Sequence, residues 1–84
     1  MTYRVDLRAR ARKEFLDLPP ETARKVLEAF ESLRTDPRHR QSIKLSGGQS
    51  YRLRIGDYRL LYEIDDPEKK VTVYRIKHRR EVYR

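Results

Sequence analysis

Tyr3, Val5 and Leu7 alternate with Arg4 and Asp6, the period-two pattern of a half-buried strand. From residue 8 the period lengthens. Ala11, Phe15 and Leu18 fall at i, i+4 and i+7, which predicts a short helix over 8–17 that Leu18-Pro19-Pro20 stops. Pro20 suits the first turn of a second helix, and Glu21 beside it is favoured by the helix dipole. Ala23, Val26, Leu27, Phe30 and Leu33 then keep helical spacing to about Arg34, and Asp36-Pro37 ends the run. Two antiparallel helices joined by a Pro-Pro turn follow from this pattern. Each carries an apolar stripe that needs a surface to cover it.

Residues 38–50 show no period and read as a loop whose most flexible point is Gly47-Gly48. Beyond it, Tyr51-Arg52-Leu53-Arg54-Ile55 alternates strictly, Gly56-Asp57 intervenes, and Tyr58 to Ile64 forms a second run. Glycine first in a two-residue connection predicts a type II′ hairpin turn. Residues 65–70 make a longer turn, and Val71 to Ile76 is a strand with apolar residues on both faces, hence central. The order is βααβββ over a single domain, 1–84. The predicted fold is α+β, with two N-terminal helices packed on one face of an antiparallel sheet.

The hairpin fixes which side chains share a face. A two-residue turn at 56–57 sets Ile55 opposite Tyr58, Arg54 opposite Arg59, Leu53 opposite Leu60 and Tyr51 opposite Tyr62. Tyr51, Leu53, Ile55, Tyr58, Leu60, Tyr62 and Ile64 then form the face toward the helices. Arg52, Arg54 and Arg59 share the other, with Leu61 opposite Arg52 and only Glu63 as an acid, at the far end. Like charges placed opposite each other weaken a strand pair. A surface that tolerates them suits an anion, and the guanidinium fork matches phosphate oxygens. The last strand's register is left open by its pattern, because a one-residue slip moves Arg75 and Lys77 to the other face. Its exit must still lie near Tyr58 and Arg59, within reach of His78, Arg79 and Tyr83.

Composition sharpens this picture. At 84 residues the chain buries only ~60–65% of its unfolded surface, so the core is thin and a bound partner would add stability. The absence of cysteine excludes disulfides, thiolate metal sites and a cysteine nucleophile. No apolar leader or membrane-length run is present, so a cytoplasmic protein without membrane contact is expected. The formal net charge of +8 is unevenly spread: residues 1–36 hold eight basic and seven acidic side chains, residues 37–84 thirteen and six. No acid lies between Asp36 and Asp57, a span that contains Arg38, Arg40, Lys44, Arg52 and Arg54. Such a surface attracts polyanions, whether nucleic acid or an acidic protein.

The Leu-Pro turn between the helices, the Tyr-Arg-Leu-Arg-Ile strand, the Gly-Asp-Tyr-Arg-Leu-Leu-Tyr hairpin and the His-Arg-Arg-Glu-Val-Tyr tail, in this βααβββ order, resemble the RelE/ParE toxin superfamily. The tail is similar to the RelE branch in particular. The resemblance implies a toxin of a type II toxin–antitoxin pair that cleaves mRNA in the ribosomal A site. Attack by the substrate's own 2′-hydroxyl leaves a cyclic phosphate and a free 5′-hydroxyl, with no metal and no small-molecule cofactor. That chemistry needs a base at the 2′-oxygen, cations on the phosphorane and an acid for the leaving oxygen. By the family's pattern the catalytic set is Arg52, Arg54, Arg59, Arg79 and the near-terminal Tyr83. Members carry lysines at the positions of Arg52 and Arg54, and arginine does not give up its proton. His78 is then the expected acid–base group. Arg38, Arg40, Lys44, Lys77 and Arg80 are expected to contact RNA phosphates, and His39 to be exposed. An acidic cognate antitoxin is expected to cover the basic surface. Two alternatives remain open: a gyrase inhibitor of the ParE type, and a degenerate toxin that only binds its antitoxin.

Overall fold

The computed structural model describes residues 2–45 and 47–82. Strand β1 (Arg4–Leu7) leads into helices α1 (Ala9–Leu16) and α2 (Pro20–Thr35), followed by β2 (Ser42–Lys44), β3 (Ser50–Ile55), β4 (Tyr58–Asp65), β5 (Lys70–His78) and a short α3 (Arg79–Val82). The two helices pack on one face of a five-stranded sheet ordered β1-β5-β4-β3-β2. This is the expected α+β class, with three differences. The segment read as a loop contains the edge strand β2, which pairs antiparallel with β3; three residues are too few to show a period. Residues Arg79–Val82 form a helical turn after β5. The first strand pairs parallel with the last, Val5 opposite Val71 and Leu7 opposite Val73, because the helices carry the chain across the sheet before the meander returns beside β1.

Pro20 occupies the first turn of α2, with Glu21 behind it and Asp36 closing the helix through its N–H to the Ser32 carbonyl. The helices meet through Phe15 and Phe30, ring centres 6.1 Å apart. Val26, Phe30 and Leu33 of α2 and Ala11 of α1 join Leu53, Leu60, Tyr62, Ile64, Val71, Val73 and Ile76 of the sheet in one core. Leu53, Leu60, Tyr62 and Ile64 are positions that the hairpin register assigns to the helix side. The hairpin forms in the expected register, from Ile55 opposite Tyr58 to Tyr51 opposite Tyr62. Gly56 has φ +57° while Asp57 keeps a negative φ, as a type II′ turn requires.

The register left open by the sequence is decided by a bulge. Leu61 pairs with Arg75 but Tyr62 pairs with Val73, so Tyr74 is an extra residue on β5. Val71, Val73 and Ile76 are spaced two and then three apart, which no regular strand can bury on one face. The inserted residue shifts the phase, so all three reach the core. Arg75 and Lys77 are thereby turned to the opposite face. On a regular strand His78 would have gone there instead.

Candidate active site

Across the face turned away from the core, cross-strand pairing sets out two rows. Arg54 lies opposite Arg59, and Arg59 opposite Lys77. In the next row Ile43 lies opposite Arg52, Arg52 opposite Leu61 and Leu61 opposite Arg75. Paired residues on one face have Cβ atoms ~5 Å apart, so five cationic side chains crowd a patch two rows deep. One of the five is neutralised. Arg75 ion-pairs with Glu14 of α1 at 2.9 Å. The same carboxylate accepts the Ile76 N–H at 2.7 Å, which caps the β5 edge beyond the end of β1. Glu14 gave no sign of this in the sequence, being one polar residue among many on a short helix.

Arg59 is the notable member. It is 7% exposed, a buried charged residue on the face away from the core. Among the described residues its side chain has one hydrogen bond, from Nη1 to the neighbouring Tyr58 carbonyl, 3.3 Å long. Among the described residues no carboxylate lies within ion-pairing distance of Arg52, Arg54, Arg59 or Lys77. Arg54 is exposed and donates from Nε to the Gly56 carbonyl at 3.4 Å. Buried charges are ordinarily paired. A buried guanidinium flanked by two further cations is a place for an external anion.

The remaining candidates are distributed unevenly. Lys77 joins the row. Arg79 begins α3 at the hairpin end: its N–H donates to the Asp57 carbonyl at 2.7 Å, and its Nε lies 3.7 Å from the Asp57 carboxylate. Arg80 follows it, exposed. His78 pairs with Tyr58, so it stands on the helix side of the sheet, its ring edge-on to Tyr58 at 5.1 Å. Its Nδ1 accepts the Arg80 N–H at 3.2 Å. Tyr83 lies outside the described residues. Lys44 pairs with Tyr51 and is on the helix side too, away from the arginines. Arg40 is exposed in the turn before β2. His39, expected to be exposed, is half-buried, its Nδ1 taking the Gln41 N–H at 3.1 Å. Tyr51 and Tyr62 are core residues and Tyr58 is partly buried against the core.

Arg38 is withdrawn from the patch altogether. Its guanidinium grips Asp66 with two bonds, 2.7 and 3.1 Å, and donates from Nε to the Tyr51 hydroxyl at 3.2 Å. The Tyr3 hydroxyl donates to the same carboxylate at 2.6 Å. These partners hold the Asp66 carboxyl at about 2, below the ordinary carboxylate value, and push Arg38 still further up. Beside them the buried Tyr62 hydroxyl donates to the Pro37 carbonyl at 2.8 Å and bonds Ser42 at 2.6 Å, and burial raises its pKa. Arg38 fastens the loop after α2 to the sheet.

Among the described residues no cluster of three or more His, Asp or Glu side chains is placed to hold a metal ion. No helix among them is long and apolar enough to cross a membrane. The side chain that sequence reasoning missed on the basic face is Ile43, 52% exposed beside Arg52. With Leu61 it gives the patch an apolar side on which a base can rest.

Comparison with known proteins supplies the family. The family model of the ParE toxin of the type II toxin–antitoxin system, parDE, matches residues 5–83. Toxin RelG of Mycobacterium tuberculosis is 36% identical, with all of this chain and 99% of the relative aligned. The putative toxin RelE1 of Methanocaldococcus jannaschii is 30% identical over all of this chain and 98% of its own length. The archaeal RelE–RelB complex of Pyrococcus horikoshii OT3 contains a chain that superposes with a TM-score of 0.86 at 34% identity, covering 94% of this chain and 97% of that one. The basic sheet face, the fold and these likenesses lead to one assignment: the chain belongs to the RelE/ParE superfamily of type II toxins and is RelE-like.

Proposed function

We propose that this toxin is an endoribonuclease that cleaves mRNA on the ribosome by metal-independent attack of the 2′-hydroxyl, and that an acidic cognate antitoxin silences it. The carrying observation is the buried Arg59, with no carboxylate partner among the described residues, in line with Arg54 and Lys77. A phosphodiester passing to a pentacoordinate phosphorane gains negative charge. Donors fixed in advance around that charge, on a rigid sheet, stabilise the transition state more than the ground state. Arg59 is held by burial, so little reorganisation is needed when the charge develops. Arg52 and Arg54 would hold adjacent phosphates, and Arg79 can turn from Asp57 to the substrate at the hairpin end. Arg40 and Arg80 would add contacts that position the RNA without reading its sequence, and Ile43 and Leu61 apolar contact for a base.

The antitoxin reading rests on the excess of base over acid in residues 37–84 and on the relatives, whose solved structures include complexes of RelE with RelB. Complementary charge favours rapid capture. The second reading, gyrase inhibition, is favoured by the ParE family match, and one pair of assays separates the two. Ribosomes programmed with end-labelled mRNA are expected to yield fragments ending in a cyclic phosphate, undiminished by a chelator added to the toxin. A gyrase supercoiling reaction is expected to be unaffected. Inhibited supercoiling with intact mRNA would replace the nuclease reading by the other.

A further inference from the structure

The row of Arg54, Arg59 and Lys77 holds one side chain that is not a guanidinium. Of Arg54, Arg59 and Lys77, two are guanidiniums, which stay protonated throughout the working pH range. Lysine can be a neutral amine. We propose that Lys77 takes the 2′-hydroxyl proton in the cleavage reaction, which makes it the general base of a site whose other groups serve as electrostatic donors. This rests on the nuclease reading above and adds a role to it.

The argument is geometric. The Tyr74 bulge turns Lys77 onto the phosphate face, directly opposite Arg59 and one strand further from Arg54. His78 is turned by the same bulge to the helix side, stacked edge-on against Tyr58, with Nδ1 already accepting a backbone N–H. A base must lie within ~3 Å of the proton that it removes, or one water away. A 2′-oxygen whose neighbouring phosphate rests on Arg59 is one strand spacing from Lys77, ~5 Å at Cβ, within the reach of a four-carbon stem.

From β4 Lys77 faces Arg59, and beyond that Arg54 of β3. Along its own strand Arg75 is on the same face, and Arg79 and Arg80 follow in α3. Of the acids among the described residues, Glu14 of α1 is engaged with Arg75 and the Ile76 N–H, and Asp57 with Arg79. Lys77 is half-buried at the end of this row.

The step balances simply. The 2′-oxygen gives its proton to neutral Nζ and forms the new bond to phosphorus, while the bond from phosphorus to the 5′-oxygen breaks. The 5′-oxygen takes a proton from solvent water, and the Lys77 ammonium returns its own to solvent. The guanidiniums hold the charge of the phosphorane throughout and exchange no proton.

The absence of cysteine makes a direct test available. In single-turnover cleavage of mRNA on programmed ribosomes, wild-type rates are expected to rise with pH through one ionisation and then level. Lys77→Arg keeps the charge but cannot accept a proton, so the rate should fall ~10²-fold or more, with binding of programmed ribosomes within a few-fold of wild type. Lys77→Cys should be equally slow until its single thiol is aminoethylated. That rebuilds a lysine-like side chain whose sulfur makes the amine a slightly weaker base. Rate should return, with the rising limb moved to lower pH.

Cleavage by Lys77→Arg at near wild-type rate would overturn the assignment while leaving the nuclease reading intact. So would a rising limb that disappears in His78→Gln and persists in Lys77→Arg. Wild-type protein that cuts no mRNA on ribosomes would overturn the nuclease reading, and this assignment with it.

Discussion

The two ends of strand β4 treat the same kind of residue in opposite ways. At the Asp65 end, Arg38 is half in solvent, yet it is held by the Asp66 carboxylate and by Tyr51. At the Tyr58 end, Arg59 is buried with no carboxylate partner among the described residues. The ends lie about 20–25 Å apart, at ~3.3 Å per residue. Solvation alone would arrange these arginines the other way: water can satisfy an exposed guanidinium, whereas a buried one needs a counter-charge. The first end is therefore read as architecture, in which a cation closes a loop onto the sheet. At the second end, under the proposed function, the substrate phosphate would supply the counter-charge. Sequence offers no distinction between them, since each is an arginine within a cation-rich stretch.

The most forceful way to break this contrast is to remove each guanidinium in turn. Arg59→Met keeps an unbranched buried side chain and deletes the charge. Loss of one preorganised donor costs ~10²–10³ in rate, so mRNA cleavage on programmed ribosomes should fall by that factor while the circular dichroism spectrum is unchanged. Arg38→Met should do the reverse, lowering the melting temperature while single-turnover cleavage stays near wild type. If Arg38→Met proved the slower enzyme, the assignment of the two ends would have to be exchanged.

How far the sequence went in separating these ends depends on which element set the geometry. Alternation and a Gly-first turn fixed the β3–β4 hairpin, so the Arg54–Arg59 pair and the core face could be written down residue by residue. Register on β5 was beyond that method. The bulge at Tyr74 is visible only as the two-then-three spacing of Val71, Val73 and Ile76, which has meaning once the core is known to claim all three. The pattern alone therefore leaves His78 near the arginines and Lys77 as one phosphate contact among several. Arg38 escapes sequence reading for a different reason. Its partner Asp66 is 28 residues away, in a turn where acids usually face water, and no local pattern reports such a pairing. The burial of Arg59 was likewise invisible, because a guanidinium normally argues for exposure.

The next effect in size lies beneath the Arg38 end. Tyr62 is fully buried and its hydroxyl donates to the Pro37 carbonyl. Tyr62→Phe leaves that carbonyl and the Ser42 hydroxyl without this partner, and an unsatisfied buried group costs about 1–3 kcal/mol. Urea denaturation should show a drop of that size with an unchanged slope. An unaltered midpoint would mean that water replaces the hydroxyl there, and that the loop after α2 is less firmly fixed than the bonds suggest.

A smaller effect at the same end is set by pH. Asp66 is held at about 2, below its ordinary value of 3.8, first by its bonds to Arg38 and then by Tyr3. A carboxyl depressed on folding stabilises the native state above its unfolded pKa, and that contribution fades as pH falls through the folded value. The melting-temperature gap between wild type and Asp66→Asn should therefore be constant above about pH 4 and close between about pH 4 and 2. Both partners are at the surface, so added salt should shrink it. A gap that persisted at pH 2 would assign the effect to hydrogen bonding of the neutral side chain.

The finest probe belongs to the basic end, where function should act against stability. Arg54 is exposed, directly opposite Arg59 and free of acidic partners among the described residues. Like charges facing each other across a strand pair cost a few tenths to about 1 kcal/mol, and threonine also suits a strand. Arg54→Thr should thus raise the melting temperature slightly even as it slows cleavage. The gain has a second signature. An anion seated among Arg54, Arg59 and Lys77 relieves the same repulsion in the wild type, so replacing chloride by sulfate at equal ionic strength should stabilise the wild type more and erase the variant's advantage. Debye screening depends on ionic strength alone, and the general stabilisation by sulfate acts on both chains alike, so a change in the gap between wild type and variant reports a seated anion. An advantage for Arg54→Thr that was identical in both salts would show that the three cations do not act together on one phosphate-like ligand. Arg59 alone would then have to carry the site.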